Sequence, residues 1–274
     1  MGTVLLVVGF GAESAEAGKA STRLVLLDQW VAQGSPVWLR ARLLSGTGSL
    51  IQSVISGERV EFQVNGQSLG PVLTGGDGLA VVRYAPSKTG AYTIKAVLVS
   101  NPRYEAEEAE ALLLYGAVPR KVIVVSIESA KTVPEPPRFP FSRSEPPKPM
   151  PKAVQVLTEL SKKYQLIYMQ GGEEARFLEI RQWLSEQDFP KAPLFVWRLA
   201  EAEEARTDQV AEELGAYQAL GRFSLGITRL PAEALAFQSL GIPAVVIVEE
   251  DEEVEIPEGA RTVTDWDAVP ALVK

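Results

Sequence analysis

The chain has 274 residues, 46% of them hydrophobic, enough for two ordinary domains with buried cores. It contains neither cysteine nor histidine, which excludes a thiol nucleophile, a disulfide, a Ser–His–Asp triad and a Cys/His zinc site. The formal net charge is −8 and no basic stripe is legible along the chain, so neither nucleic acid nor an anionic membrane surface is an expected partner.

Residues 1–21 open on an apolar run, Thr3–Phe10, followed by the small-x-small string Ala15-Glu16-Ala17. This reads as a signal peptide or as an N-terminal strand, because no Lys or Arg precedes Lys19 to supply a basic leader. Export to the periplasm or cell surface is the expectation, with the cytoplasm as the alternative. No apolar run approaches the roughly 20 residues that span a bilayer, so no transmembrane segment is expected. Scarce asparagine (Asn65 and Asn101), absent cysteine and abundant Glu and Pro lean toward a thermophilic source.

Residues 22–116 alternate on a two-residue period. Val37–Leu43 reads as a strand, and Val60–Val64 as a cleaner one with Val60, Phe62 and Val64 facing inward. Asn65-Gly66 marks a tight hairpin turn. Gly75–Gly78 is a second turn leading into a strand at Leu79–Tyr84. Gly90–Leu98 and Leu112–Tyr115 complete the set. Short strands between turn residues imply a β-sandwich. Val60-x-Phe62-x-Val64-x-Gly66, Asp77-Gly78-x-Ala80 and Gly90-x-Tyr92 together resemble bacterial immunoglobulin-like domains. That resemblance implies a tyrosine corner at Tyr92, its hydroxyl bonding back to the backbone, and an adhesion, spacer or positioning role. Trp30 and Trp38 read either as a ligand patch or as buried sandwich tryptophans.

From residue 117 to 274 the period changes. Lys121–Ile127 is a continuous apolar run, as for a strand buried on both faces. Helical spacing at Ala153–Tyr164 precedes a strand at Leu166–Met169. A helix at Glu173–Gln187, with Phe177, Ile180 and Leu184 on one face, precedes a strand at Leu194–Trp197. A helix near Asp208–Leu220, a strand at Phe223–Ile227, a helix at Ala232–Leu240 and a strand at Ala244–Val248 follow. This alternation predicts an α/β Rossmann-like three-layer domain on a parallel sheet. Ligands in such sheets bind beyond the carboxyl ends of the strands, at Ser126–Ala130, Gln170–Gly172 and Gly226–Arg229.

Three strings carry a second resemblance: Leu166–Met169; Arg181-Gln182-Trp183-Leu184 with Phe189-Pro190-x-x-Pro193-Leu194; and Ala236-Phe237-Gln238-Ser239-Leu240-Gly241-Ile242-Pro243. In this order they resemble the haloacid-dehalogenase-like superfamily, nearest to its lipin-type domain. Active members carry Asp-x-Asp-x-Thr at the tip of the first strand, one Asp as nucleophile and one as acid, with Mg²⁺ held by hard oxygens. Here that string is Ser126-Ile127-Glu128-Ser129-Ala130. Ser126 replaces the nucleophile and Glu128 the acid. Gln170 replaces the hydroxyl residue of the second motif, Arg222 is the nearest basic candidate for the third-motif lysine, and Glu233 is what is left of the acidic fourth motif. The resemblance therefore implies a pseudo-phosphatase that binds or scaffolds and needs no cofactor. The alternative is a divergent Mg²⁺-dependent phosphatase on a small phosphate ester or lipid phosphate, with Glu128 and Glu233 as metal candidates. The protein or small molecule that the binding reading requires is unknown from sequence.

The Pro-rich segment 133–151 sits where related domains place a flap. It reads as an extended strip, either anchoring a partner through Phe139 and Phe141 or lying over the site mouth. Glu249–Glu255 reads as a solvated acidic loop, and Glu173 and Glu174 as complements to a helix dipole.

Overall fold

The computed structural model describes residues 18–46, 53–132, 146–172, 176–197, 203–248 and 254–273. The apolar run Thr3–Phe10, most of the Pro-rich segment with Phe139 and Phe141, Glu173 and Glu174, and the start of the acidic run lie outside them.

The first nine strands form an immunoglobulin-like sandwich. One sheet contains β1 (Ala20–Leu26), β3 (Val37–Ser45), β6 (Leu79–Tyr84) and β8 (Tyr104–Ala106), in the order β6-β3-β1-β8. The other contains β2 (Gln29–Val31), β4 (Arg59–Val64), β5 (Gln67–Leu73), β7 (Gly90–Leu98) and β9 (Ala109–Tyr115), in the order β2-β9-β7-β4-β5. Alternation buries Val60, Phe62 and Val64 between the sheets. The β4–β5 hairpin turns at Asn65 (φ 47°) and Gly66 (φ 80°), both left-handed, as a two-residue hairpin requires. The tyrosine corner is present: the Tyr92 hydroxyl donates to the Lys88 carbonyl at 2.5 Å.

The rest of the described chain is an α/β unit on six parallel strands. They are β10 (Val122–Ser126), β11 (Gln165–Gly171), β12 (Leu194–Trp197), β13 (Phe223–Thr228), β14 (Ala244–Ile247) and β15 (Arg261–Val263), in the order β12-β11-β10-β13-β14-β15. Every adjacent pair is parallel. One face is covered by α2 (Ala153–Ser161), α3 (Phe177–Glu186) and a 3-10 helix at Trp266–Leu272, with Leu157, Phe177, Leu184 and Trp266 packed on Ile123 and Val125. The other carries α4 (Glu203–Gly215) and α5 (Pro231–Ser239), whose Val210, Leu214 and Phe237 pack on Val122, Val124 and Met169. α5 lies so close to β13 that a Cβ on Gly226 would stand 2.2 Å from Phe237.

Two expectations are corrected here. Trp30 and Trp38 form no common patch. Trp30 is 4% exposed and leaves the sandwich to stack on Tyr217 of the α/β unit, with ring centroids 5.6 Å apart, whereas Trp38 lies 44% exposed on the outer face of β3. The run Lys121–Ile127 is not one strand: β10 stops at Ser126 and a single helical turn, α1 (Ile127–Ala130), follows.

The two units are joined through Asp28. Its carboxylate accepts from the Leu112 amide of β9 (2.7 Å), from the Leu194 amide of β12 (2.6 Å), and from the Arg181 guanidinium of α3. No helix among the described residues is long and apolar enough to cross a membrane.

Candidate functional site

In the order of their appearance the six parallel strands run 3-2-1-4-5-6 across the sheet. The chain reverses direction of growth between β10 and β13, and the carboxyl ends of these strands are where open sheets of this topology bind ligands. Ser126 ends β10, Glu128 sits on α1, Gln170 lies near the end of β11, Thr228 ends β13 and Glu233 occupies the first turn of α5. Four of the five sequence candidates therefore meet. Arg222 does not: it precedes the first residue of β13, where its carbonyl accepts from the Val122 amide, and is at the opposite end of the strands. A strand runs end to end through the sheet, so proximity in sequence to β13 did not place Arg222 at its tip.

Glu128 is tied on two sides. Lys131 donates to its Oε1 at 2.8 Å, and the Gln170 amide donates to the same oxygen at 2.7 Å. Burial pushes its carboxyl upward, but the Lys131 ammonium, the Gln170 amide and the Arg176 charge outweigh burial and hold it below the ordinary carboxylate value. Lys131 is a site residue that the sequence reading missed. The signal was its i,i+3 spacing from Glu128, which matters only once the strand has become a helical turn.

Glu233 has the opposite character. It is 1% exposed, and burial raises its carboxyl above the ordinary value with help from the Glu128 charge. Thr228 donates to it at 2.5 Å while accepting from the Leu230 amide at 2.9 Å. Ser126 is fully buried. Its hydroxyl stands near enough to Glu233 to favour the anion but makes no aligned hydrogen bond. The Gln170 Oε1, on a residue 5% exposed, also lacks a partner. The turn itself is fixed from beneath: Ser129 donates to the Ser126 carbonyl at 2.7 Å, and the Trp266 indole donates to the Ser129 carbonyl at 3.1 Å.

A serine hydroxyl needs a deprotonated base, and the carboxyl beside it is the one burial drives toward the neutral acid. Glu128 is an anion, but its charge is spent on Lys131. Among the described residues no group of three or more Asp and Glu side chains converges to hold a metal ion.

No known family profile matches the chain, and no curated protein matches it. Solved structures do. A membrane anchored protein of Corynebacterium diphtheriae is 17% identical over 38% of this chain and 22% of its own, with a TM-score of 0.27. A CARDB domain from Pyrococcus furiosus is 14% identical over 36% of this chain and 93% of its own, with a TM-score of 0.22. Fibronectin(III)-like modules of Clostridium thermocellum CbhA are 14% identical over 35% of this chain and 95% of their own, with a TM-score of 0.23. The sandwich assignment rests on the strand order and the tyrosine corner described above.

Proposed function

We propose that this is a non-catalytic binding or scaffold protein: an immunoglobulin-like sandwich followed by a haloacid-dehalogenase-like, lipin-type domain whose reaction centre has decayed. A central first strand, the candidate residues gathered at its tip, and the Lys131–Pro149 bridge closing the base of the Pro-rich segment all support that kinship. The carrying observation is Ser126: it replaces the nucleophilic carboxylate, is fully buried, and stands beside a carboxyl that burial favours in its neutral form.

Magnesium does not fit the residues present. The Lys131 ammonium occupies the charge-neutralising position at Glu128, and Glu233 offers a carboxyl displaced toward its protonated form. No step is assigned to the metal. One observation favours the second reading, a divergent Mg²⁺-dependent phosphatase on a small phosphate ester or lipid phosphate: Glu128 and Glu233 are close enough to feel each other's charge.

Phosphate release from a panel of phosphomonoesters and phosphatidate, with and without Mg²⁺, separates the two. Background rates for wild type and Glu128→Gln alike are expected. Mg²⁺-dependent release that disappears in Glu128→Gln would overturn the proposal.

A further inference from the structure

The outer face of the β6-β3-β1 sheet is unlike the rest of this acidic chain. Its three strands carry four arginines, Arg23, Arg40, Arg42 and Arg83, and no Asp or Glu. At the edge of the sheet, Trp38 stands opposite Arg83 and Arg40 opposite Val81. Trp38 is 44% and Val81 39% exposed, and Arg40 and Arg83 are exposed as well. The two arginines lie diagonally, roughly 7–8 Å apart at the backbone by sheet geometry, with tryptophan and valine between them. Neither forms an ion pair among the described residues. Apolar area flanked by unpaired guanidinium groups is the composition of an interface.

The complementary surface lies at the other edge of the same sheet. Residues 105–110 read Glu-Ala-Glu-Glu-Ala-Glu, running from β8 into β9. With α3 they wall a cleft of about 1000 Å³, where Glu179 and Glu186 face them. Glu108 is engaged by Lys95 and Glu110 by Lys191, but Glu105 and Glu107 have no ion pair among the described residues. β6 and β8 are the two ends of the order β6-β3-β1-β8. Arg40 and Arg83 therefore stand at the opposite edge of the sheet from Glu105, while Arg23 on β1 lines the cleft beside the glutamates.

We propose that a second copy of this chain is the partner. The Trp38–Arg40–Val81–Arg83 face of one molecule docks on the Glu105–Glu107 wall of the next, head to tail. Such a contact uses two different patches, so it builds salt-sensitive chains, or rings where the rotation between copies closes.

The test is sedimentation of the full chain across protein concentration. At low ionic strength the average mass is expected to rise with concentration, and about 1 M NaCl, where charges screen within about 3 Å, should return it to the monomer. Arg40→Glu with Arg83→Glu, and separately Glu105→Lys with Glu107→Lys, should each weaken association at least about tenfold. Mixing the two charge-reversed proteins should restore it. Arg40→Gln with Arg83→Gln serves as the milder variant should reversal disturb the sheet. A wild type that stays monomeric at every concentration, association indifferent to both reversals, or a mixture that fails to recover would overturn the proposal.

Discussion

Glu233 and Ser126 show how burial alone changes what a residue does. A carboxyl at the first turn of a helix ordinarily remains charged and complements the dipole. Here burial raises its proton affinity despite the hydrogen bond from Thr228 and the nearby Ser126 hydroxyl. A group whose folded-state value is raised favours the fold below its unfolded value, and that contribution is lost as pH rises through the folded value. Glu233→Gln cannot titrate, and its amide can still accept from Thr228. The variant is therefore expected to melt above wild type, by a margin that widens as pH climbs from the ordinary carboxylate value through the raised one. Thermal melts at pH 5 and pH 8 check this, and a constant margin would count against the protonation argument. At Tyr92 the residue-scale reading was legible in advance, because a corner tyrosine is set by its own turn: its hydroxyl bonds only four residues back. Tyr92→Phe should cost about 1 kcal/mol in urea denaturation, the net value of one hydrogen bond.

Elements were legible where local pattern and environment agree. β4, β6, β7 and β12 appear where alternation or an apolar run placed them, since a pleated strand with one or two buried faces writes its period into the sequence. The end of β10 was not legible. Ile127 continues the apolar run and is buried, yet it is buried from a helical turn, so hydrophobicity alone did not distinguish the two. That turn decides the site, because it brings Lys131 within 2.8 Å of Glu128. The short strands β2, β8 and β15, three residues each, carry too few positions to show a period. The contact of β13 with α5 depends on a missing side chain at Gly226. Gly226→Ala has no room against Phe237 and is expected to lower stability by about 3 kcal/mol. Gly226→Ala combined with Phe237→Leu should recover part of the loss in the same chemical denaturation series.

At the scale of the molecule, the two units are welded by polar groups inside an apolar junction. Burial lowers the Arg181 guanidinium to about 10, yet it remains a cation at neutral pH and needs the Asp28 carboxylate beside it. Trp30 adds apolar contact, and a Cβ at Gly221 would stand 2.7 Å from its ring, so glycine permits that approach. Asp28→Ala would leave two amides and the guanidinium without their acceptor, at a cost of about 4 kcal/mol. Urea unfolding followed by tryptophan fluorescence should show the lower midpoint. No loss beyond 1 kcal/mol would mean the junction rests on apolar contact alone. Part of the Arg-x-Trp-Leu string that carries the family resemblance is thereby explained structurally: Arg181 reaches the sandwich, while the Trp183 indole donates to the Pro147 carbonyl at 2.8 Å at the end of the Pro-rich segment.

The amino-acid sequence by itself determined the two classes of architecture and the absence of thiol and imidazole chemistry. Each is a matter of residue type or local period, and neither depends on distant neighbours. Only the tertiary structure decided that Arg222 stands at the wrong end of β13, that Lys131 neutralises Glu128, and that Arg40 and Arg83 share a surface. These are juxtapositions of residues that strand direction, helix pitch and sheet register bring together, and charge summed along a chain contains none of that geometry.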